Sequence, residues 1–166
     1  MNRLLVRAGL LGLVLGLSYL GWTFFFPSPE RIIQKRLRKI AQLASFASNE
    51  GSLAKLANSQ KLTTFCTSDV EITVDIPGRI SHKLVGRDEL LQAVMAARST
   101  LNSLKVEFLD VGVMVGGDKQ SAVARLTAKA SFPGERIPEV QELKIEFRKV
   151  DRDWLVEHAE TVRTLH

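Results

Sequence analysis

Residues Ala8–Phe26 read AGLLGLVLGLSYLGWTFFF, nineteen residues without a charge. A membrane-spanning helix needs about 20 predominantly apolar residues. A helix buried in a globular core seldom runs so far without a charged member. The run therefore predicts a single transmembrane anchor over 8–26, a tail over 1–7 ahead of it, and a domain over 27–166 behind it. Arg3 and Arg7 precede the run as they would in a secretory signal, but no A-x-A-like cleavage site follows it. Its exit is Trp22, Phe24, Phe25 and Phe26, aromatic residues that favour the membrane–water interface. Pro27-Ser28-Pro29 then stops the helix. These features fit an uncleaved anchor better than a removed peptide.

The net charge of +5 is unevenly placed. Residues 1–40 carry seven Lys/Arg against one acid, and residues 41–166 carry sixteen against seventeen. The domain itself is near neutral, so the basic pI gives no argument for nucleic-acid binding, which needs a basic stripe on the folded surface. A single cysteine, Cys66, allows no intramolecular disulfide and reads as a small buried hydrophobe. No His/Cys/Asp/Glu group has metal-ligand spacing, and there is neither a glycine-rich phosphate loop nor a G-x-S-x-G. No metal and no cofactor is expected.

Ser28-Pro29-Glu30 opens a helix, with Ser28 as N-cap, that is predicted to run to about Ala47. Ile33, Leu37, Ile40, Ala44 and Ala47 form its apolar face. Arg31, Lys35, Arg36, Arg38 and Lys39 cover the rest of its first half, close to the membrane exit. That cluster can attract anionic headgroups, or it can be a solvated helix face; the pattern alone does not separate the two. Ser52 is placed to cap a shorter helix over Leu53–Phe65, with Leu56, Ala57 and Leu62 as its apolar marks.

Asp69 is predicted to open a strand in which Val70, Ile72 and Val74 alternate with polar residues. A turn at Ile76–Arg79, a short return strand over Ser81–Val85 and a third helix over Asp88–Ser99 follow. That helix presents Leu90, Leu91, Val94 and Met95. In the next strand Leu104, Val106 and Phe108 alternate on even numbers, but Val111, Val113 and Val115 on odd ones. Such a slip of phase predicts a β-bulge within Leu109–Gly112. Gly116–Lys119 turns the chain into a strand whose one face is Ala122, Ala124, Leu126, Ala128 and Ala130, small residues that let another element approach closely. Leu143, Ile145 and Phe147 mark the following strand, and Asp151-Arg152-Asp153 turns it into the last, Trp154 to about Thr164.

This order predicts an α+β domain: a cone-shaped, curved antiparallel or mixed sheet wrapped around about three helices, behind one transmembrane helix. Phe65-x-x-x-Asp69-Val70, Gly86-Arg87-Asp88-Glu89-Leu90 and the closing hairpin from Phe147 to Val156 with its Trp154 resemble the nuclear-transport-factor-2-like (SnoaL-like) superfamily over about residues 30–166. The resemblance implies a ligand site inside the cone. It also implies either a small lyase or isomerase or a non-catalytic binding or assembly domain, between which fold does not choose.

Period two places Trp154, Val156, His158, Glu160 and Val162 on one face of the last strand. Trp154, Val156, His158 and Glu160, with Phe108, are the candidate ligand pocket, and His158 and Glu160 the candidate acid–base pair. The bland alternative sets both at the rim, solvated or hydrogen-bonded. Against a ketosteroid-isomerase-like oxyanion hole, the only tyrosine is Tyr19, inside the predicted anchor. The expected function is therefore a membrane-held, non-catalytic domain binding a partner protein or a small apolar ligand. The resemblance, together with Val123 and Leu155 on otherwise polar strand faces, predicts a homodimer through the outer sheet face. Cations on both sides of the anchor leave orientation contested. The export-like front, Arg3 and Arg7 before a leucine-rich run, favours a domain outside the cytoplasm, tethered to a bacterial-type inner membrane.

Overall fold

The computed structural model describes residues 28–75, 81–135 and 137–162. The predicted anchor, its tail, the turn at Ile76–Arg79 and the chain end beyond Val162 lie outside those residues. No helix among the described residues is long and apolar enough to cross a membrane.

The first helix, α1 (Pro29–Ala44), starts where the proline and the first-turn Glu30 place it, although Ser28 makes no side-chain cap bond. It ends three residues short of Ala47 because Ser45 turns extended. Phe46 then exchanges two backbone bonds with Leu104, at 2.8 and 3.0 Å. A strand-like bridge thus takes the residues that periodicity assigned to a helix. The second helix, α2 (Ser52–Thr63), takes Gly51 rather than Ser52 as N-cap. It buries Ser59, Leu62 and Thr63, leaving Leu53, Leu56 and Ala57 exposed. Its inner face is largely polar, and the Ser59 hydroxyl is satisfied by the Lys55 carbonyl at 2.7 Å.

Strand β1 (Cys66–Val74) begins three residues before Asp69, and β2 (His82–Val85) returns from it. Helix α3 (Gly86–Thr100) follows at once. Gly86 sits at φ +85°, where an added Cβ would stand 3.5 Å from the Ser68 carbonyl oxygen; the left-handed backbone is what requires glycine there. The Glu89 carboxylate accepts the Val85 N–H at 2.7 Å, covering an open donor at the helix start. Strands β3 (Lys105–Val115), β4 (Ser121–Ser131), β5 (Glu139–Val150) and β6 (Asp153–Thr161) complete the chain. The sheet order is β2-β1-β6-β5-β4-β3. Only β1 and β6 pair in parallel, so the sheet is mixed.

The predicted bulge is present. Pairing of β3 with β4 breaks between Leu109 and Gly112, and Asp110 takes φ 52°. Phe108 before the break and Val111, Val113 and Val115 after it all pack on the same core. The core lies between α1 and the sheet. Ile33 and Leu37 from α1 meet Ala122, Ala124, Leu126, Ile145, Phe147, Trp154 and Val156 from the strands. Ala122 and Ala124 are almost wholly covered, as expected for small residues beneath a closely seated helix.

Candidate functional site

The last strand does not keep one phase. Phe147 of β5 stands opposite Val156, but Glu146 stands opposite His158, so Glu157 is an extra residue on β6. This second bulge reverses the faces. Trp154 and Val156 point into the core, and beyond the bulge Ala159 does so, opposite buried Ile145. His158 and Glu160 pair with Glu146 and Lys144 on the outer face. The candidate pair is therefore not in the cone, which corrects the period-two placement. Of the five predicted pocket residues, Trp154, Val156 and Phe108 are core contacts and the other two lie on the far side of the sheet.

There His158 and Glu160 belong to a ladder of ion pairs. Lys144 Nζ reaches Glu146 at 2.7 Å and Glu160 at 3.2 Å, and His158 Nε2 lies 3.5 Å from Glu160. Arg148 joins Asp69 at 2.9 Å and Glu157 at 3.0 Å. The Lys144 ammonium, and then His158, hold the Glu160 carboxyl below its ordinary range. A carboxylate kept ionised on an open surface lacks the desolvation that tunes a catalytic acid. The depression between these strands is lined by Asp69, Glu71, Glu146, Glu157 and Glu160 with Lys144 and His158, and carries no apolar wall.

The other concave surface runs along α1. An open groove of about 920 Å³ is lined by Ile32, Lys35, Arg36, Arg38, Lys39, Gln42, Thr64, Phe65 and Asp153. Helical geometry explains the segregation. At about 100° per residue, Arg31, Lys35, Arg38, Lys39 and Gln42 fall within one stripe about 100° wide, opposite Ile33, Leu37 and Ala41. Arg36 and Ile32 lie on its flank, facing the turn after α2. The Arg36 guanidinium pairs with Asp153 and lies 5.7 Å from the Phe65 ring centre. Lys39 donates to the Gln42 amide oxygen at 3.4 Å. Among the described residues, which include every Asp and Glu of the chain, no carboxylate forms an ion pair with Arg31, Lys35, Arg38 or Lys39. Four of the five predicted membrane-surface cations thus stand unpaired, and Arg36 is held as part of the groove wall. Helical spacing already indicated the stripe. Thr64, Phe65 and Asp153 come from distant parts of the chain, and nothing in the local sequence joined them to it.

No protein-family model and no curated protein matches the sequence. Solved structures do match. An NTF2-like protein of unknown function from Pseudomonas putida has a TM-score of 0.62 at 11% identity, over 82% of this chain and 87% of that one. This is the nuclear-transport-factor-2-like fold. The yeast UBP3-associated protein BRE5 aligns with a TM-score of 0.61 at 13% identity, over 84% of this chain and all of that one. A candidate scytalone dehydratase from Novosphingobium aromaticivorans aligns at 0.57 and 14%, over 81% and 83%. At such identities the likeness concerns the fold alone.

One further buried residue of the domain escaped sequence reasoning. Arg98 is 1% exposed. Its guanidinium pairs with Glu50, donates to the Leu43 carbonyl and lies 5.0 Å from the Phe46 ring centre. It ties the end of α3 to the α1–α2 connection. Leu90, Val94 and Arg98 stand four residues apart, so the apolar stripe of α3 ends on an arginine; that was the available signal. Cys66 is buried as expected, and burial pushes its thiol up to about 11, leaving little thiolate at neutral pH.

Proposed function

We propose that the protein is a membrane-anchored, non-catalytic binding or assembly domain that holds a partner protein or a small apolar ligand at the membrane surface. One observation carries the reading. The only acid–base pair suggested for the cone faces outward in a ladder of ion pairs, while Trp154, Phe147, Ile33 and Leu37, each 0–2% exposed, occupy the interior. A small lyase or isomerase needs its acid and base to converge on a bound substrate, and His158 and Glu160 open to solvent instead. The lyase reading keeps as support only a fold shared with a candidate dehydratase.

The anchor reading rests on the uncharged run over 8–26. The domain is assigned to the outer side of a bacterial-type inner membrane, on the export-like front of that run. Alkaline phosphatase fused after His166 should be active, because that reporter works only once exported. An inactive fusion, with a fluorescent cytoplasmic reporter at the same junction, reverses the orientation. A homodimer through the outer sheet face, around the half-buried Val123 and Leu155, belongs to the same proposal. Sedimentation of the detergent-solubilised chain at micromolar concentration should show two copies, and a monomer argues against it. For function, mass spectrometry of what co-purifies with the full chain should find a protein or an apolar ligand. Turnover of a small hydroxylated substrate, abolished by His158→Gln, would overturn the non-catalytic reading.

A further inference from the structure

The α1 groove is the least explained surface of the molecule. Many cations of the sheet are answered: Lys83 by Glu71, Lys105 and Lys129 by Glu107, Lys144 and Arg148 by two acids each. Along α1 the only acid at the groove, Asp153, is already engaged by Arg36. That leaves Lys35, Arg38 and Lys39 as three uncompensated charges around a concavity. Arg31 and Lys35, and Lys35 and Lys39, are like-charged pairs four residues apart, an arrangement that costs helix stability and is relieved by a bound anion. The walls are mixed. Ile32 and the Phe65 ring supply apolar surface and Thr64 an exposed side chain. The matching ligand carries a fixed negative charge beside an apolar portion.

We propose that this groove binds the headgroup and upper acyl region of an anionic glycerophospholipid, with the phosphate between Lys35, Arg38 and Lys39 and the apolar part against Ile32 and Phe65. The proposal rests on the membrane-held reading above and names the ligand of its surface. Its position supports it. From Pro29 to Lys39 is about 15 Å of helix, and α1 begins three residues after the apolar run ends at Phe26. The cations fall on one stripe and not all around the helix, so α1 lying along the surface brings all of them within a Debye length, about 8 Å, of the headgroups. Burying Ile32 and Phe65 at that depth follows the way amphipathic helices seat in the interface.

The test uses the full chain in a neutral detergent, so it does not depend on insertion. It can fail while anchoring holds, and the phosphatase fusion can fail while it succeeds. Binding of dihexanoyl phosphatidylglycerol is compared with dihexanoyl phosphatidylcholine, inorganic phosphate and a poly-aspartate peptide. The expected result is at least about tenfold tighter binding of the anionic lipid than of the other three probes. Lys35→Gln/Arg38→Gln/Lys39→Gln should lose at least about tenfold in that affinity at an unchanged urea midpoint. Lys83→Gln/Lys105→Gln/Lys129→Gln removes the same charge elsewhere and should bind as the parent does. Equal binding of the two lipids, phosphate binding as tightly as the lipid, tighter binding of poly-aspartate, or equal losses in both triple variants would each overturn the proposal.

Discussion

The outer sheet face and the outward stripe of α1 both carry charge, and they use it differently. On the sheet, each cation of the ladder meets two carboxylates: Lys144 sits between Glu146 and Glu160, and Arg148 between Asp69 and Glu157. On α1, Arg31, Lys35, Arg38 and Lys39 meet none among the described residues. Paired surface charge is self-satisfied and presents little net field outside the chain. Unpaired charge of one sign, gathered on one stripe beside a groove, sets up a field that acts on something outside the chain. Composition alone reports both simply as charged residues.

The sharpest way to break the contrast is to push the sheet's polar ladder inward. Deleting Ala159 moves Glu160 one place along β6, into the inward position opposite buried Ile145. A register slip of one residue exchanges the faces of a strand, and an unpaired ionisable group in an apolar core costs several kcal/mol. We expect the variant to be unfolded by near-ultraviolet circular dichroism. A native spectrum with an unchanged urea midpoint would mean that the position of Ala159 does not face the core.

Next in size is the buried ion pair between Glu50 and Arg98. Glu50→Ala strands the Arg98 charge, whose side chain is 1% exposed against 10% for Glu50. Removing one partner of such a pair costs about 3–5 kcal/mol. Urea unfolding should show most of that loss, whereas Arg98→Met, which removes the charge itself, should cost less.

The ladder on the sheet is worth far less. Lys144→Ala should cost no more than about 1 kcal/mol, the range of solvent-exposed pairs. Its pH dependence is specific. The Glu160 carboxyl is held below its usual 4.5, first by Lys144 and then by His158, so its contribution is present above 4.5 and lost as pH falls through the lowered value. The Lys144 ammonium is held above its usual 10.5, first by Glu146 and then by Glu160, so its contribution is present below 10.5 and lost as pH rises through the raised value. The difference between parent and variant should therefore be flat between these limits and shrink outside both. A constant difference from pH 3 to pH 11, values on the order of one unit beyond those limits, would contradict the assignment. Smallest of all, neutralising Lys35, Arg38 and Lys39 should leave stability within about 0.5 kcal/mol or raise it slightly, because like-charged neighbours on a helix repel.

Much of the fold was legible because apolar phase is a strong signal where there is enough of it. The bulge at Asp110 announced itself through three apolar residues on each side, Leu104, Val106 and Phe108 against Val111, Val113 and Val115. The bulge at Glu157 did not. Beyond it the only small apolar residue before Val162 is Ala159, while His158 and Glu160 continue the alternation begun by Trp154 and Val156. Two polar residues in apparent phase outweighed one alanine out of phase, and the candidate site went with them. The end of α1 was misplaced because Phe46 satisfies its backbone through Leu104, 58 residues further along the chain, which no local pattern reports. The cationic stripe was legible in full, since helical geometry needs only sequence spacing. The groove was not, because Phe65 and Asp153 reach it only through the tertiary fold.

The central claim is that α1, and not the sheet or the cone, is the face turned to the membrane. Single cysteines at Gln42 in the groove and at Glu142 on the outer sheet face can carry an environment-sensitive fluorophore. At neutral pH the buried Cys66, with its thiol pushed up to about 11, stays unlabelled. The full chain is reconstituted into phosphatidylcholine vesicles with or without phosphatidylglycerol, and iodide quenching is measured. The label at position 42 should be shielded in the anionic vesicles and more exposed in the neutral ones, while that at 142 stays equally quenched in both. Equal quenching at the two positions in both kinds of vesicle, or shielding at 142 alone, would contradict the account.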